Sequence, residues 1–203
     1  MIGIVDYGMG NLRSVYNAVV FLGYEARLVS KTEDFNGLSH LIIPGVGAFS
    51  PAMTNLQKAE LIVPIKEFIA TRKPVLGICL GMQLLASVGF EPNEMEGLNI
   101  IEGKVVKFQL DNQRIPHVGW NSIDLTREHY LFEGVKKGVD FYFVHSFYFD
   151  CKNDVDILAY CDYGKKFPAI VSKDNVTGIQ FHPEKSQKNG LKILKNFCSR
   201  TDA

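Results

Sequence analysis

The chain has 203 residues, with 22 Lys+Arg against 22 Asp+Glu, 46% hydrophobic and 22% charged. That composition buries a core, and its zero net charge excludes a broad binder of nucleic acid or of an anionic membrane. No apolar run approaches the roughly 20 residues of a membrane span. Its cysteines (Cys79, Cys151, Cys161, Cys198) show no CxxC spacing, which disfavours a zinc site or a disulfide framework. The expectation is a cytoplasmic protein of a single domain, 1–203, with no metal and no cofactor.

In chain order, Ile2 to Asp6 reads as a buried strand ending in Gly8 and Gly10, and not as the core of a signal peptide, since no basic stretch precedes it. Asn11 is an N-cap residue type, after which Leu12, Val15, Val19 and Leu22 recur at helical spacing until Gly23. Glu25–Val29 and His40–Ile43 are strands, the second ending at Pro44-Gly45-Val46-Gly47. Leu61–Ala70 is helical with Pro64 in its first turn, Pro74–Ile78 is a strand, and Leu80–Ala86 is helical. Strands alternating with helices predict an α/β, doubly wound, three-layer fold on a mostly parallel sheet.

After about Ile100 the pattern changes. Val105–Phe108, Phe141–Phe149, Ile157–Cys161, Ala169–Ser172 and Thr177–Phe181 are strand-like, implying antiparallel extensions on the same sheet before a last helix, Gln187–Phe197.

Gly77-Ile78-Cys79-Leu80-Gly81 is the sharpest local feature, a G-x-C-x-G at a strand-to-helix junction. A nucleophile there stands on a tight turn above the sheet edge, and glycines flank it where backbone crowds. The following helix N-terminus favours a thiolate and directs N–H groups at an oxyanion. The plainer reading is a buried small hydrophobe, which is the reading for Cys151, Cys161 and Cys198.

A thiol nucleophile needs a base and a group that orients it. His182-Pro183-Glu184 follows an apolar strand, and its i to i+2 spacing lets the carboxylate turn back to the imidazole. Alone it is an ordinary turn sequence; with G-x-C-x-G it becomes a triad. His145, amid aromatics, is the competing base and fits a structural, hydrogen-bonded role better. Pro44–Gly47 emerges at the same edge as Cys79, so that N–H groups of Gly47 and Leu80 could form an oxyanion hole. Gly8-x-Gly10 lacks the third glycine of a dinucleotide fingerprint and is read as a turn. Lys185, Lys188, Lys192 and Lys195 form a basic stripe, of which Lys185 adjoins the triad. Trp120 is either core or an exposed anchor.

Gly77–Gln83 together with His182–Glu184 resembles the class I, triad-type glutamine amidotransferases. More narrowly, Asp6–Asn11, Pro44–Gly47, Pro116–Asn121, Tyr142–Ser146 and His182–Ser186 are similar, in family order, to the glutaminase subunits of imidazole glycerol phosphate synthase. The resemblance implies that Cys79 attacks the side-chain amide of glutamine, with His182 and Glu184 completing the triad. It further implies that Gly47 and Leu80 supply the oxyanion hole, and that Gln83, Ser146 and Phe147 bind substrate. Ammonia then passes to a (β/α)₈-barrel cyclase subunit, met through Asn11, Trp120, Tyr142 and Lys185, in a step of histidine biosynthesis. The family's low glutaminase activity before docking fits a Pro44–Gly47 loop that flips on assembly.

An acidic run that many members carry after the nucleophile helix is absent. In Ala86–Glu94 only Glu91 is placed to meet the substrate ammonium, and Phe147 stands where tyrosine is frequent. A paralogous subunit feeding a barrel synthase of surface sugars, a cysteine hydrolase without ammonia transfer, and a catalytically silent regulatory subunit are the competing readings.

Overall fold

The computed structural model describes residues 1–201. Its first half runs β1 (Ile2–Val5), α1 (Leu12–Phe21), β2 (Ala26–Val29), β3 (His40–Ile43), α2 (Phe49–Lys58), α3 (Ile62–Ala70), β4 (Val75–Ile78) and a single turn, α4 (Leu80–Gln83). Its second half is strand-rich: β5 (Val88–Phe90), β6 (Glu94–Glu96), β7 (Gly103–Lys107), β8 (His117–Ser122), β9 (Asp124–Leu125), β10 (Asp140–His145), β11 (Phe147–Cys151), β12 (Ile157–Asp162), β13 (Lys166–Lys173) and β14 (Val176–Ile179), closed by α5 (Gln187–Cys198).

The main sheet has eight strands in the order β2-β1-β3-β4-β14-β13-β12-β9. β2, β1, β3, β4 and β14 are parallel, and β13, β12 and β9 extend the sheet antiparallel. The fold is therefore α/β and doubly wound, with a mostly parallel centre. Successive residues of a strand face opposite sides, and this divides the core in two. Ile2 and Ile4 of β1, Ile42 of β3 and Leu76 and Ile78 of β4 pack with α1 and α5. Val5, Leu41, Ile43 and Val75 pack with α2 and α3 on the other face.

The helices bury one stripe each. Val15, Ala18 and Val19 are the buried residues of α1, and Ile193, Leu194 and Phe197 line that of α5. At roughly 1.5–3 kcal/mol per large apolar side chain, such stripes dock helices whose exposed faces contribute little. Pro64 is the third residue of α3, where no helical N–H is required of it.

Four expectations from the sequence need correction. The run Phe141–Phe149 is not one strand: Ser146 breaks it into β10 and β11, which enter different sheets. The continuous aromatic run hid that bend. Leu80–Ala86 shortens to the one-turn α4, so little macrodipole stands behind Cys79 and only local N–H groups remain. Not all the later strands extend the main sheet, because β10 and β8 form a separate ribbon and β11-β7-β5-β6 a separate four-stranded sheet. Asn11 occupies the N-cap position of α1, but its side chain makes no capping hydrogen bond; its carbonyl accepts the N–H of Ser14 and Val15 instead.

Candidate active site

β4 and β14 pair in parallel, Ile78 opposite Ile179, and the Cys79 N–H continues that ladder to the Ile179 carbonyl at 2.8 Å. Their C-terminal ends therefore deliver Cys79 and His182 to the same sheet edge, the usual place for a site in a parallel α/β fold. Cys79 has φ +54° and ψ −110°, a conformation costly for any residue with a Cβ. The chain tolerates that strain because its neighbours are glycines for steric reasons. A Cβ on Gly77 would lie 2.6 Å from the Gly81 carbonyl oxygen, and one on Gly81 would overlap the Ile43 carbonyl oxygen outright. The G-x-C-x-G spacing is thus the condition for β3, β4 and α4 to meet around the sulfur.

The side chains of His182 and Glu184 are almost fully buried, and Nδ1 of the ring lies 2.9 Å from Glu184 Oε1. A carboxylate acceptor fixes the proton on Nδ1 and directs Nε2 outward. Nε2 has no hydrogen-bond partner. Burial pulls the imidazole down, but the nearby Cys79 sulfur and the hydrogen bond and charge of Glu184 outweigh it and raise His182 to about 10. The ring is therefore poised to hold a proton next to the sulfur. The His182 backbone is anchored as well. Its N–H donates to the Tyr142 carbonyl, its carbonyl accepts the Ser186 hydroxyl at 2.6 Å, and that hydroxyl accepts the Tyr142 N–H at 2.9 Å.

A cleft of about 300 Å³ opens beside the sulfur, and Val46, Gly47, Cys79, Leu80, Gln83, Glu91, Val144, His145, Ser146, Phe147 and Lys185 line it. It thus gathers residues from five separate stretches of sequence. Gly47, at φ +110°, holds its peptide in an orientation a side chain would resist. Glu91 is half-buried in this wall and its carboxyl is raised by desolvation, a site that gains from a bound cation. Asn11 lies one step away, bordering a narrow recess with Pro44, Gly45, Val46, His182 and Glu184. A larger recess of about 390 Å³ lies between β9 and the 132–139 turn, but it carries no cysteine or histidine.

His145, the competing base, is committed elsewhere. Its Nδ1 donates to the Phe147 carbonyl at 2.8 Å, and its Nε2 meets His117 Nδ1 at 3.1 Å. Burial, reinforced by the neighbouring histidines, lowers it to about 3. A ring that neutral and that engaged is not available to take a proton from sulfur.

On the outer rim, Lys185 Nζ lies 5.9 Å from the Tyr142 ring centroid, and the Tyr142 ring stacks edge-on against Trp120 with centroids 5.8 Å apart. Trp120 is 44% and Val118 53% exposed, so the β8–β10 ribbon together with Lys185 presents an apolar and cationic face next to His182 and Glu184. Gln180 was not singled out from the sequence. It lies wholly buried at the end of β14, with its amide nitrogen 3.7 Å from Cys79 Sγ. Nothing local in Thr177–Phe181 distinguishes it, because its partner is distant in the chain.

Residues 3–201 match the family model "Glutamine amidotransferase class-I". A protein of Caldanaerobacter subterraneus subsp. tengcongensis named imidazole glycerol phosphate synthase subunit HisH is 49% identical, with 97% of each chain covered. A protein of the same name from Sulfurimonas denitrificans is 48% identical, again over 97% of each chain. Among solved structures, PurLQS from Thermotoga maritima superposes with a TM-score of 0.76 at 18% identity, covering 97% of this chain and 96% of that one. A structure described as a glutamine amidotransferase gives 0.72 at 22% identity, covering 97% and 98%. At those identities, the two structures share the fold.

Proposed function

The chain belongs to the class I glutamine amidotransferases, among the HisH subunits of imidazole glycerol phosphate synthase, and from that membership we propose how its residues release ammonia from glutamine. Glutamine enters the cleft with its carboxamide over Cys79. The Cys79 proton passes to His182 Nε2 and Sγ attacks the carboxamide carbon. N–H groups of Leu80 and Gly47 receive the oxyanion. As the tetrahedral intermediate collapses, His182 gives its proton to the departing nitrogen and ammonia leaves. Water, deprotonated by His182, then cleaves the γ-glutamyl thioester to glutamate and restores the thiol. Glu184 holds the tautomer and stabilises the imidazolium between these transfers.

Gln83, Ser146 and Phe147 position the substrate, and Glu91 accepts its α-ammonium, which its desolvated carboxyl favours. Ammonia passes to a (β/α)₈-barrel cyclase subunit docked over Asn11, Trp120, Tyr142 and Lys185. The exposed Trp120 and Lys185 beside the triad support that face as the meeting surface. The cyclase uses the ammonia to form imidazole glycerol phosphate and an aminoimidazole carboxamide ribonucleotide in the cytoplasm, and the whole chain acts as one amidotransferase unit.

One observation carries this reading: a glutamate-oriented, unpartnered Nε2 beside a cysteine held at φ +54°. Labelling with a chloroketone analogue of glutamine, followed by peptide mass spectrometry, tests it. The adduct is expected on Cys79, with Cys151, Cys161 and Cys198 unmodified; an adduct on one of those three, with Cys79 free, overturns the reading.

A further inference from the structure

Which end of each side-chain amide faces which neighbour is fixed in this site by a chain that begins at a main-chain carbonyl. The Phe147 carbonyl only accepts, so the Gln83 atom 3.0 Å from it must be Nε2. The same Nε2 lies 3.1 Å from Gln180, and with its other hydrogen it needs an acceptor there, so the facing Gln180 atom is Oε1. The remaining atom of the Gln180 amide is then its nitrogen, and that nitrogen is the one 3.7 Å from Cys79 Sγ. Reversing either amide would set two acceptors or two donors against each other inside the protein, since Gln83 and Gln180 are both buried.

We propose that Gln180 directly assists the nucleophile: its amide N–H, held by the chain Phe147 carbonyl–Gln83–Gln180, donates to Cys79 Sγ, stabilises the sulfur anion that forms when the Cys79 proton passes to His182, and keeps it aimed into the cleft. The proposal rests on Cys79 being the nucleophile and adds a fourth group to the triad. An N–H donor stabilises a sulfur anion more than a thiol, because charge strengthens the hydrogen bond. The chain also spends both hydrogens of Gln83 inside the protein. Only Gln83 Oε1 is left to meet glutamine, which makes Gln83 an acceptor for the substrate and, through Gln180, a brace for the sulfur.

Two variants separate this role from packing. Gln180→Met keeps the length and bulk of the side chain but removes the donor. Gln180→Glu keeps the acceptor for Gln83 and turns an ionisable oxygen toward the sulfur. The measurement is the rate of Cys79 alkylation by iodoacetamide against pH, with the modified residue identified by mass spectrometry and the melting temperature recorded in parallel.

The expected result is an alkaline displacement of the alkylation profile, about one pH unit for Gln180→Met and more for Gln180→Glu, where a like charge opposes the thiolate. A purely structural Gln180 gives lowered melting temperatures with profiles superimposable on wild type, which overturns the proposal. The two levels of reading fail differently. Wild-type profiles in both variants, with the adduct still on Cys79, remove Gln180 alone. If Cys79→Ala retains glutaminase activity, the nucleophile assignment itself fails.

Discussion

Glu184→Gln isolates the electrostatic part of the triad from its geometry. The amide is isosteric, and its carbonyl oxygen still accepts the His182 Nδ1 proton across the 2.9 Å contact, so the ring keeps its orientation. What disappears is the negative charge. Two unit charges about 4 Å apart attract by about 4 kcal/mol at an effective dielectric of about 20, which suits this buried pair better than the value for water. If that attraction stabilises the imidazolium in the transition state, its loss corresponds to about a 10³-fold slower reaction. Retained hydrogen bonding and local relaxation return part of it, so glutamine hydrolysis in the assembled synthase is expected to fall about 10²- to 10³-fold in kcat/KM.

A second signature accompanies the first. His182 is raised to about 10 in the folded protein, so it adds stability that is fully present below its unfolded value of 6.5 and is lost as pH rises through about 10. The stability gap between wild type and Glu184→Gln, measured by denaturant melts, is therefore widest below about pH 6.5 and closes toward pH 10. Activity within about tenfold of wild type, or as low as that of Cys79→Ala, refutes the charge-based role of Glu184.

Other outcomes follow from the same geometry. Gly81→Ala places a methyl group in the Ile43 carbonyl, a clash between backbones that no rotamer relieves. Overpacking of this kind costs about 1–3 kcal/mol or more, and in a chain of this size each kcal/mol lowers Tm by about 2–4 °C. An unchanged Tm contradicts the close approach. Glu91→Gln, read by steady-state kinetics, raises KM for glutamine about tenfold or more and leaves kcat within a few-fold, as loss of an ammonium partner outside the reacting bonds should. A fall in kcat at unchanged KM argues against that assignment. His145, lowered to about 3, stays neutral when folded, so it withdraws stability as pH falls below about 6.5. His145→Gln should flatten the acid limb of the stability profile, and an acid limb identical to wild type would speak against a neutral buried ring.

Much of this was legible in the sequence because the relevant forces are local. The alternation of apolar strands and helical stripes through Ile78 requires a covered parallel sheet, and the glycines around Cys79 announce a crowded turn. His182 and Glu184 sit two residues apart across a proline, which limits where the carboxylate can go. Helix α2 escaped notice although Phe49, Ala52, Met53 and Leu56 have helical spacing, since Pro51 and the polar residues between them dilute the pattern.

The break at Ser146 was hidden because aromatic and apolar residues run on both sides of His145-Ser146 and only tertiary structure supplies the bend. Strands β5 and β6, at three residues each, are too short to show a period. Gln180 was invisible for a different reason. Its meaning lies in a donor–acceptor chain through Gln83 and Phe147, residues that meet only when β14, α4 and β11 have packed.

The most direct test of the central claim uses Cys79→Ala assembled with the proposed barrel cyclase, assayed with glutamine and, separately, with ammonium salts. Synthesis from glutamine should vanish while synthesis from ammonium stays near the wild-type rate. Persistent glutamine-dependent synthesis, or loss of both activities in a complex that still assembles, would contradict a chain whose thiol makes the ammonia that its partner consumes.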